Sequence, residues 1–199
     1  MKNIMLSVIA MAFIMVSCNQ KNKEEVVKSE TVKNQEEPKA TDTVAKTDNV
    51  SGSVAPSDYV NDIIICYINL KNTLAKDDSK GASDNGKLLL ASFNRLDTKV
   101  LNAKQKKEYL DIADDAKEHA EHIGANADKL EHQREHFVLL SKDVNELITM
   151  FGSNRKLYQD YCPMANDGKG AIWISEVKDI KNPYQGSKML TCGSVKKTY

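Results

Sequence analysis

Apolar residues recur at three- and four-residue steps between residues 57 and 151, which is the spacing of amphipathic helices. The pattern predicts helices over about residues 57–75, 88–100, 104–123 and 127–151, with a weak start to the second around Gly81 and Gly86. Gly124 and Gly152 favour the ends of the last two. The stripes are Val60, Ile63, Ile64, Tyr67, Leu70 and Leu74; Leu88, Leu89, Phe93, Leu96 and Val100; Tyr109, Ile112, Ala116, Ala120 and Ile123; and Leu130, Phe137, Leu140, Val144, Leu147, Ile148 and Phe151.

Beyond Gly152 the periodicity changes. Residues 166–170 and 182–186 are rich in Asn, Asp, Gly and Pro, which predicts two turns. Residues 171–175 are typical of a short strand, and residues 189–192 are interpreted as a second one. Short connections between amphipathic helices favour antiparallel packing. The predicted fold is therefore mainly α: an antiparallel bundle of about four helices with a small irregular β or loop layer at the C-terminus.

The first residues are typical of an export signal. Lys2 precedes an apolar run from Ile4 to Val16 that is too short to span a membrane as a helix. The run ends at Met15-Val16-Ser17-Cys18, which resembles a bacterial lipobox. We expect residues 1–17 to be a signal peptide and Cys18 to carry lipid; the alternative is an ordinary secreted protein with a chance cysteine at that position.

A polar stretch follows Cys18 and contains no Leu, Ile, Met or aromatic residue between positions 19 and 56. Such a segment cannot bury enough apolar surface to offset the entropy of ordering it. Residues 18–56 are therefore predicted to be a disordered tether, and residues 57–199 to be the folded domain. This organisation predicts a lipid-anchored protein of the cell envelope, with the outer membrane favoured and the periplasmic or surface face left open.

Charge and motif content argue against two large classes of function. The chain carries 28 basic and 28 acidic side chains, so no basic excess exists to bind nucleic acid. Phosphate-binding, dinucleotide-binding and serine-hydrolase motifs are absent from the sequence. The H-x3-H spacing of His132 and His136 occurs in zinc proteases, but Gln133 occupies the position of their general base. We therefore expect no enzymatic activity.

Sulfur-containing residues form two groups near the C-terminus. Cys162 and Met164 are two residues apart, and Met189 and Cys192 are three apart. If the two segments lie side by side, four soft sulfur ligands converge, and such ligands select copper(I)-like ions. Three outcomes stay open from spacing alone: a Cys162–Cys192 disulfide, a metal site, or unpaired burial. Cys66 lies in an apolar helix and is interpreted as a small buried hydrophobe.

Histidine is scarce but grouped on the last two predicted helices. His136 falls at the edge of the buried face of its helix, where a ligand can sit, whereas His132 points further outward. His119 and His122 lie among charged residues and are interpreted as surface groups. Among the histidines, only His136 is predicted as an optional additional metal ligand. The alternative is that its side chain is simply a solvated polar group.

The C-terminal motifs resemble the domain of unknown function 3347. The resemblance rests on Tyr161-Cys162-Pro163-Met164-Ala165, Gly168-Lys169-Gly170-Ala171 with Trp173 and Ser175, Asn182-Pro183-Tyr184, Gly186 to Gly193, and upstream Gln133-Arg134-Glu135-His136-Phe137 with Leu140-Ser141. That domain occurs at the C-terminus of CusB-like periplasmic adaptors of copper and silver efflux pumps and in stand-alone Bacteroidetes lipoproteins. The resemblance implies heavy-metal handling in the envelope, although this chain lacks the other portions of a pump adaptor.

Two functional hypotheses follow. The first is an envelope lipoprotein that binds copper(I) or silver(I) through Cys162, Met164, Met189 and Cys192, with His136 as an optional fifth ligand, in metal handling or efflux. The second is a protein-interaction module of the envelope without metal, in which Cys162 and Cys192 form a structural disulfide. In both, the partners are the membrane, through the lipid anchor, and an efflux system or another envelope protein.

Overall fold

The computed structural model describes residues 56–199, which form five α-helices followed by a small antiparallel sheet. The helices are α1 (Pro56–Tyr59), α2 (Asn61–Leu74), α3 (Ser79–Arg95), α4 (Ala103–Ala125) and α5 (Leu130–Phe151). The strands are β1 (Tyr158–Cys162), β2 (Ala171–Ser175) and β3 (Ser194–Thr198), and 3-10 turns occupy Thr98–Val100 and Gly186–Lys188. The prediction of a mainly α fold with a small C-terminal β layer is confirmed.

The predicted signal peptide, the lipid-bearing Cys18 and the predicted tether up to residue 55 lie outside the described residues. Within residues 56–199, none of the helices combines the length and the apolar character that crossing a membrane requires.

Consecutive helices pack against one another, α2 on α3, α3 on α4 and α4 on α5. Their buried faces form one core, in which the rings of Tyr67 and Phe137 stack with centroids 5.1 Å apart. Polar side chains cap the starts of α3 and α4: the Asp78 carboxylate accepts from the Gly81 N–H, and Asn102 with Gln105 forms a capping box. Local polar signals and the apolar stripes therefore specify the same bundle.

Helix α3 contains the weak start predicted around Gly81 and Gly86 but ends earlier than predicted, at Arg95. It begins at Ser79, well before the apolar stripe that starts at Leu88, because Asp78 caps it there. Gly86 lies inside this early part, and a Cβ added to it would stand 2.9 Å from the backbone nitrogen of Gly124. The glycine that weakens the helical pattern thus lets α3 and α4 approach closely. Leu88 and Val100, which were predicted to face inward, are 56% and 48% exposed, so that part of the prediction is wrong.

The sheet has the order β2-β1-β3, with both pairings antiparallel. The predicted strand at Ala171–Ser175 is confirmed as β2, and it places Ala171 opposite Cys162. The predicted strand at Met189–Cys192 is wrong, because the Cys192 N–H donates to the Met189 carbonyl at 3.0 Å and closes a turn. Strand β1 pairs on its second side with β3 instead. Strand β3 is a polar edge strand, and it has too little apolar alternation for the sequence pattern to reveal it.

Three buried hydroxyl groups join the bundle to the C-terminal layer. The hydroxyl of Tyr67 on α2 lies 2.8 Å from that of Ser141 on α5, and it accepts the Ile174 N–H of β2 at 3.1 Å. The hydroxyl of Tyr184 donates to the Ile172 carbonyl of the same strand. Strand β2 is therefore fixed to two helices and to the segment that follows it.

Arg134 on α5 makes a second junction, and it is only 5% exposed. Its Nε donates to the Pro183 carbonyl at 2.8 Å, and its Nη2 donates to the Leu74 carbonyl at 3.0 Å and to Asp77 Oδ1 at 2.5 Å. The other Asp77 oxygen accepts the Ser187 N–H at 3.0 Å. One guanidinium thus holds together the end of α2, the first turns of α5 and residues 183–187.

Replacing Arg134 tests this junction. Arg134→Leu should lower the free energy of unfolding by at least about 2 kcal/mol, because two buried carbonyls and a carboxylate lose their charged donor. Urea denaturation followed by circular dichroism measures the change. The matched control is Arg155→Leu at an exposed arginine, for which we expect a loss below about 1 kcal/mol. An equally small loss for Arg134→Leu would contradict the role given to it.

A buried carboxyl lies on β1, two residues before Cys162. Asp160 is fully buried, and the nearby Lys71 and Glu176 form an ion pair with a 2.7 Å Nζ–Oε2 distance. Burial raises the pKa of Asp160 to about 6; the positive charge of Lys71 opposes this rise and the negative charge of Glu176 adds to it. The folded state therefore binds the Asp160 proton more tightly than the unfolded chain does.

This raised pKa predicts a pH-dependent effect of Asp160→Asn. The contribution of the protonated form is complete below about pH 4 and is lost as pH rises through about 6, so the variant should match wild type near pH 4 and exceed it at pH 7. The expected gain at pH 7 in the free energy of unfolding is roughly 3 kcal/mol, at about 1.4 kcal/mol per pKa unit. Urea titrations at pH 4, 5, 6 and 7 measure it, with exposed Asp111→Asn as control. A difference that does not vary with pH would contradict the assignment.

Candidate functional site

Cys162 and Cys192 meet in the C-terminal layer, and we call them the cysteine pair. Their Sγ atoms lie 2.9 Å apart, and both cysteines are free. Cys162 ends β1 and is fully buried, whereas Cys192 lies in the loop before β3 and is half-buried. Solvent and ions therefore reach the pair from the side of Cys192.

Asn182 positions the loop that carries Cys192. Its side chain is fully buried, and its Nδ2 donates to the Cys192 carbonyl at 2.7 Å. Its Oδ1 accepts the backbone N–H groups of Tyr184 and Gln185 at 2.8 and 3.0 Å. Its backbone N–H donates to the Leu190 carbonyl at 2.8 Å. One amide side chain thus closes the loop into a compact turn with Cys192 at its base.

Gly193 makes the change of direction from this loop into β3. Its φ is +144°, a value that other residues rarely adopt. A Cβ at this position would lie 2.8 Å from Cη2 of Trp173 and 3.0 Å from the Tyr161 carbonyl oxygen. Glycine is therefore required for the backbone beside Cys192 to pack onto the sheet next to Cys162.

The contact with Cys162 affects the chemistry of Cys192. A hydrogen bond between the two sulfurs raises the pKa of the Cys192 thiol, with smaller contributions from burial and from the charge of Cys162. The Cys192 thiol therefore holds its proton more strongly than an isolated cysteine does. A ligand that binds both sulfurs must displace protons to do so.

The two methionines predicted as ligands are exposed, Met164 by 52% and Met189 by 40%. Met189 belongs to the same turn as Cys192 through their backbone hydrogen bond. Met164 lies two residues past Cys162 and lines a cleft of about 210 Å³ together with Arg134, Val138 and Tyr184. The structure thus brings the two cysteines together and leaves both thioethers on the surface of the same layer.

His136, the fifth predicted ligand, lies elsewhere. It is two residues from Arg134, so it points roughly 200° around α5 from the side chain that contacts the C-terminal layer. Its ring packs with those of His119, His122 and His132 between α4 and α5. We call these four residues the histidine quartet. The structure does not place His136 with the cysteine pair.

The apolar periodicity of a single helix does not reveal the quartet, because its four members lie on two helices. His119 and His122 precede the turn between α4 and α5, and His132 and His136 follow it. His122 and His132 are equally distant from residue 127, at the centre of that turn. Positions symmetric about the turn of an antiparallel helical hairpin face each other, so this spacing was the signal available in the sequence.

Cys66 lies apart from these clusters, on α2. It is half-buried, which agrees only partly with its interpretation as a buried hydrophobe. Burial raises the pKa of its thiol, while a hydrogen bond to Ser92 on α3 acts in the opposite direction. It therefore provides a matched control for substitutions of the cysteine pair.

The helical part of the chain matches a known family. Residues 63–156 fit the model of a family described as protein of unknown function (DUF3347). The match extends from α2 to the residues before β1, so it includes the histidine quartet and ends before Cys162. No curated protein and no solved structure matches the chain.

The loop geometry predicts an effect of Asn182→Ala on the cysteine pair. Without the amide, the Cys192 carbonyl and two backbone N–H groups lose a buried hydrogen-bond partner. This loss destabilises the folded loop by about 1–3 kcal/mol. We expect disulfide formation between the two cysteines under a mild oxidant to slow by roughly 10-fold, as followed by thiol titration over time. The control is Asn154→Ala at an exposed position. An unchanged rate would show that Asn182 does not position Cys192.

Proposed function

Residues 63–156 make this chain a member of the DUF3347 family, and on that premise we propose that the protein binds a soft metal ion, copper(I) or silver(I), through its C-terminal layer. The observation that carries the proposal is the 2.9 Å approach of the Cys162 and Cys192 sulfurs. The family match ends before these residues, so the support comes from geometry and ligand chemistry.

Ligand softness favours this class of ion. Two thiols from segments 30 positions apart in the chain meet at one point, and thiolates bind copper(I) in preference to magnesium, calcium or manganese. The buried Cys162 and the half-buried Cys192 leave one side of the pair accessible. With metal–sulfur bonds of about 2.3 Å the two sulfurs stand about 3.8 Å apart at a tetrahedral angle, so an ion that enters from that side must separate them by roughly 1 Å.

Metal binding at this pair releases protons. Both sulfurs must become thiolates, and their protons go to solvent as the metal–sulfur bonds form. Because the hydrogen bond to Cys162 raises the pKa of Cys192, proton competition is strong at neutral pH. Affinity should therefore rise with pH, by up to about 100-fold per unit while both thiols are protonated in the free protein.

Met164 and Met189 are proposed as additional thioether ligands. Both are exposed, and methionine has three rotatable bonds and a polarizable sulfur, so each can turn towards an ion held by the neighbouring cysteine. Their contribution should be smaller than that of the thiolates. Met164→Leu and Met189→Leu keep the side-chain volume and remove only the sulfur.

The cellular role follows as part of the same proposal. Lipid attachment at Cys18 would hold the domain at the surface of an envelope membrane, and the bound ion would be stored or passed to a heavy-metal efflux system. The competing role is an interaction module in which the same two cysteines form a disulfide. An oxidising compartment favours that bond, and the 2.9 Å contact between the two sulfurs is also consistent with it.

A copper(I) competition titration tests the proposal. The full chain is titrated anaerobically with a chromophoric copper(I) chelator in the presence of a reductant that does not bind copper. The double variant Cys162→Ser/Cys192→Ser should lose at least about 100-fold in affinity, because both thiolate ligands are removed. The single variant Cys66→Ser is the matched control and should leave affinity unchanged, and silver(I) should follow the same order.

Two results would contradict metal binding at the pair. One is equal copper(I) affinity in the wild type and the double serine variant. The other is a disulfide between residues 162 and 192 in protein isolated without reductant, detected as a mass about 2 Da below that of the reduced chain. If this bond also resists reduction under native conditions, the disulfide-stabilised module is favoured.

A further inference from the structure

The turn between α4 and α5 brings every histidine of the chain to one place. The sequence contains 4 histidines, and the helical hairpin places His119 and His122 on α4 against His132 and His136 on α5. Residues 126–129 form the connection, and the Asn126 amide donates to the His122 carbonyl at 2.8 Å. The cluster thus lies at the closed end of the hairpin, where the two helices are held in register.

His136 is the centre of the quartet. Its Nδ1 lies 3.2 Å from Nδ1 of His119. Its ring stacks on that of His122 with centroids 4.2 Å apart, and it meets the ring of His132 edge-on at 4.6 Å. One ring nitrogen from each of His122, His132 and His136 lies within 4.8 Å of the others. Four imidazoles therefore share one small volume.

One of these distances already suits a single metal ion. A tetrahedral zinc site with Zn–N bonds of 2.0–2.1 Å separates its ligand nitrogens by about 3.3 Å. The His119 and His136 nitrogens already have this spacing, and rotation of exposed His122 and half-buried His132 can bring theirs closer. The partial exposure of these two side chains also gives an ion access from solvent.

The surroundings keep the central imidazole neutral. Burial lowers the pKa of His136 to about 4, aided by the positive charge that its histidine neighbours can carry and opposed by Glu135. Burial also lowers the pKa of His119, against the charges of Glu118 and Asp115. Neutral imidazole has a free nitrogen lone pair, which is the form that binds metal. His132 has an alternative partner in Glu135, 3.3 Å away, although both side chains reach solvent.

We propose that His119, His122, His132 and His136 form a binding site for a divalent transition-metal ion, zinc(II) or copper(II), separate from the cysteine pair. Imidazole nitrogen suits these borderline ions, whereas the thiols suit copper(I). The side chains of Arg134 and His136 point to opposite sides of α5, so the two sites lie on different sides of that helix. The inference does not depend on soft-metal binding at the C-terminal layer.

Calorimetric titration of the full chain with zinc(II), and separately with copper(II), tests the site. Both titrations use the Cys66→Ser/Cys162→Ser/Cys192→Ser background, which removes the free thiols of the described residues as ligands and as sites of oxidation by copper(II). We expect one equivalent of metal, and His136→Gln should weaken binding by more than about 100-fold, since loss of even an outer partner of a metal ligand costs 10–100-fold. Lys142→Gln, an exposed change on the same helix, should leave affinity unchanged.

His122→Gln is a second variant, because this exposed side chain contributes little to folding and its loss should still weaken binding at least 10-fold. Proton NMR should show the imidazole signals shifting together on addition of zinc(II). The absence of binding for both ions, or unchanged affinity in both histidine variants, would overturn the proposal. Because the background lacks the cysteine pair, neither result affects the copper(I) titration.

Discussion

The buried guanidinium of Arg134 is the constraint on which the C-terminal layer depends. It donates to the Pro183 carbonyl on one side and to Leu74 and Asp77 on the other, so the segment after β2 is fixed to the ends of two helices. From there residues 183–187 lead into the loop that Asn182 closes around Cys192. The position of one thiol is therefore set by a charge buried in the helical bundle.

Helix α5 organises two kinds of chemistry on opposite sides. The side that bears Arg134 and Ser141 holds the sheet, and the sheet carries the cysteine pair. The side that bears His132 and His136 faces α4 and completes the histidine quartet. Thiol and imidazole ligands differ in softness, so the helix between them separates the proposed copper(I) site from the proposed site for borderline divalent ions. In both proposed sites, residues distant in sequence meet because the bundle fixes them.

The sequence predicts what depends on local periodicity and turn chemistry. Four helical segments and strand β2 follow from apolar spacing and from turns rich in glycine and asparagine. The strand β3 and the turn at Met189–Cys192 do not, because an edge pairing and a buried amide decide them. The approach of Cys162 to Cys192 was a hypothesis that the structure now supports with a distance. The quartet required the geometry of a hairpin, which single-helix patterns do not contain.

X-ray absorption at the copper edge tests the central claim most directly. The full chain, loaded anaerobically with one equivalent of copper(I), should show only sulfur in the nearest shell of scatterers, and this signal should disappear when residues 162 and 192 are both serine. A nearest shell of nitrogen or oxygen in the wild-type protein would contradict the account, because the ion would then be held by groups other than the two thiols that the fold brings together.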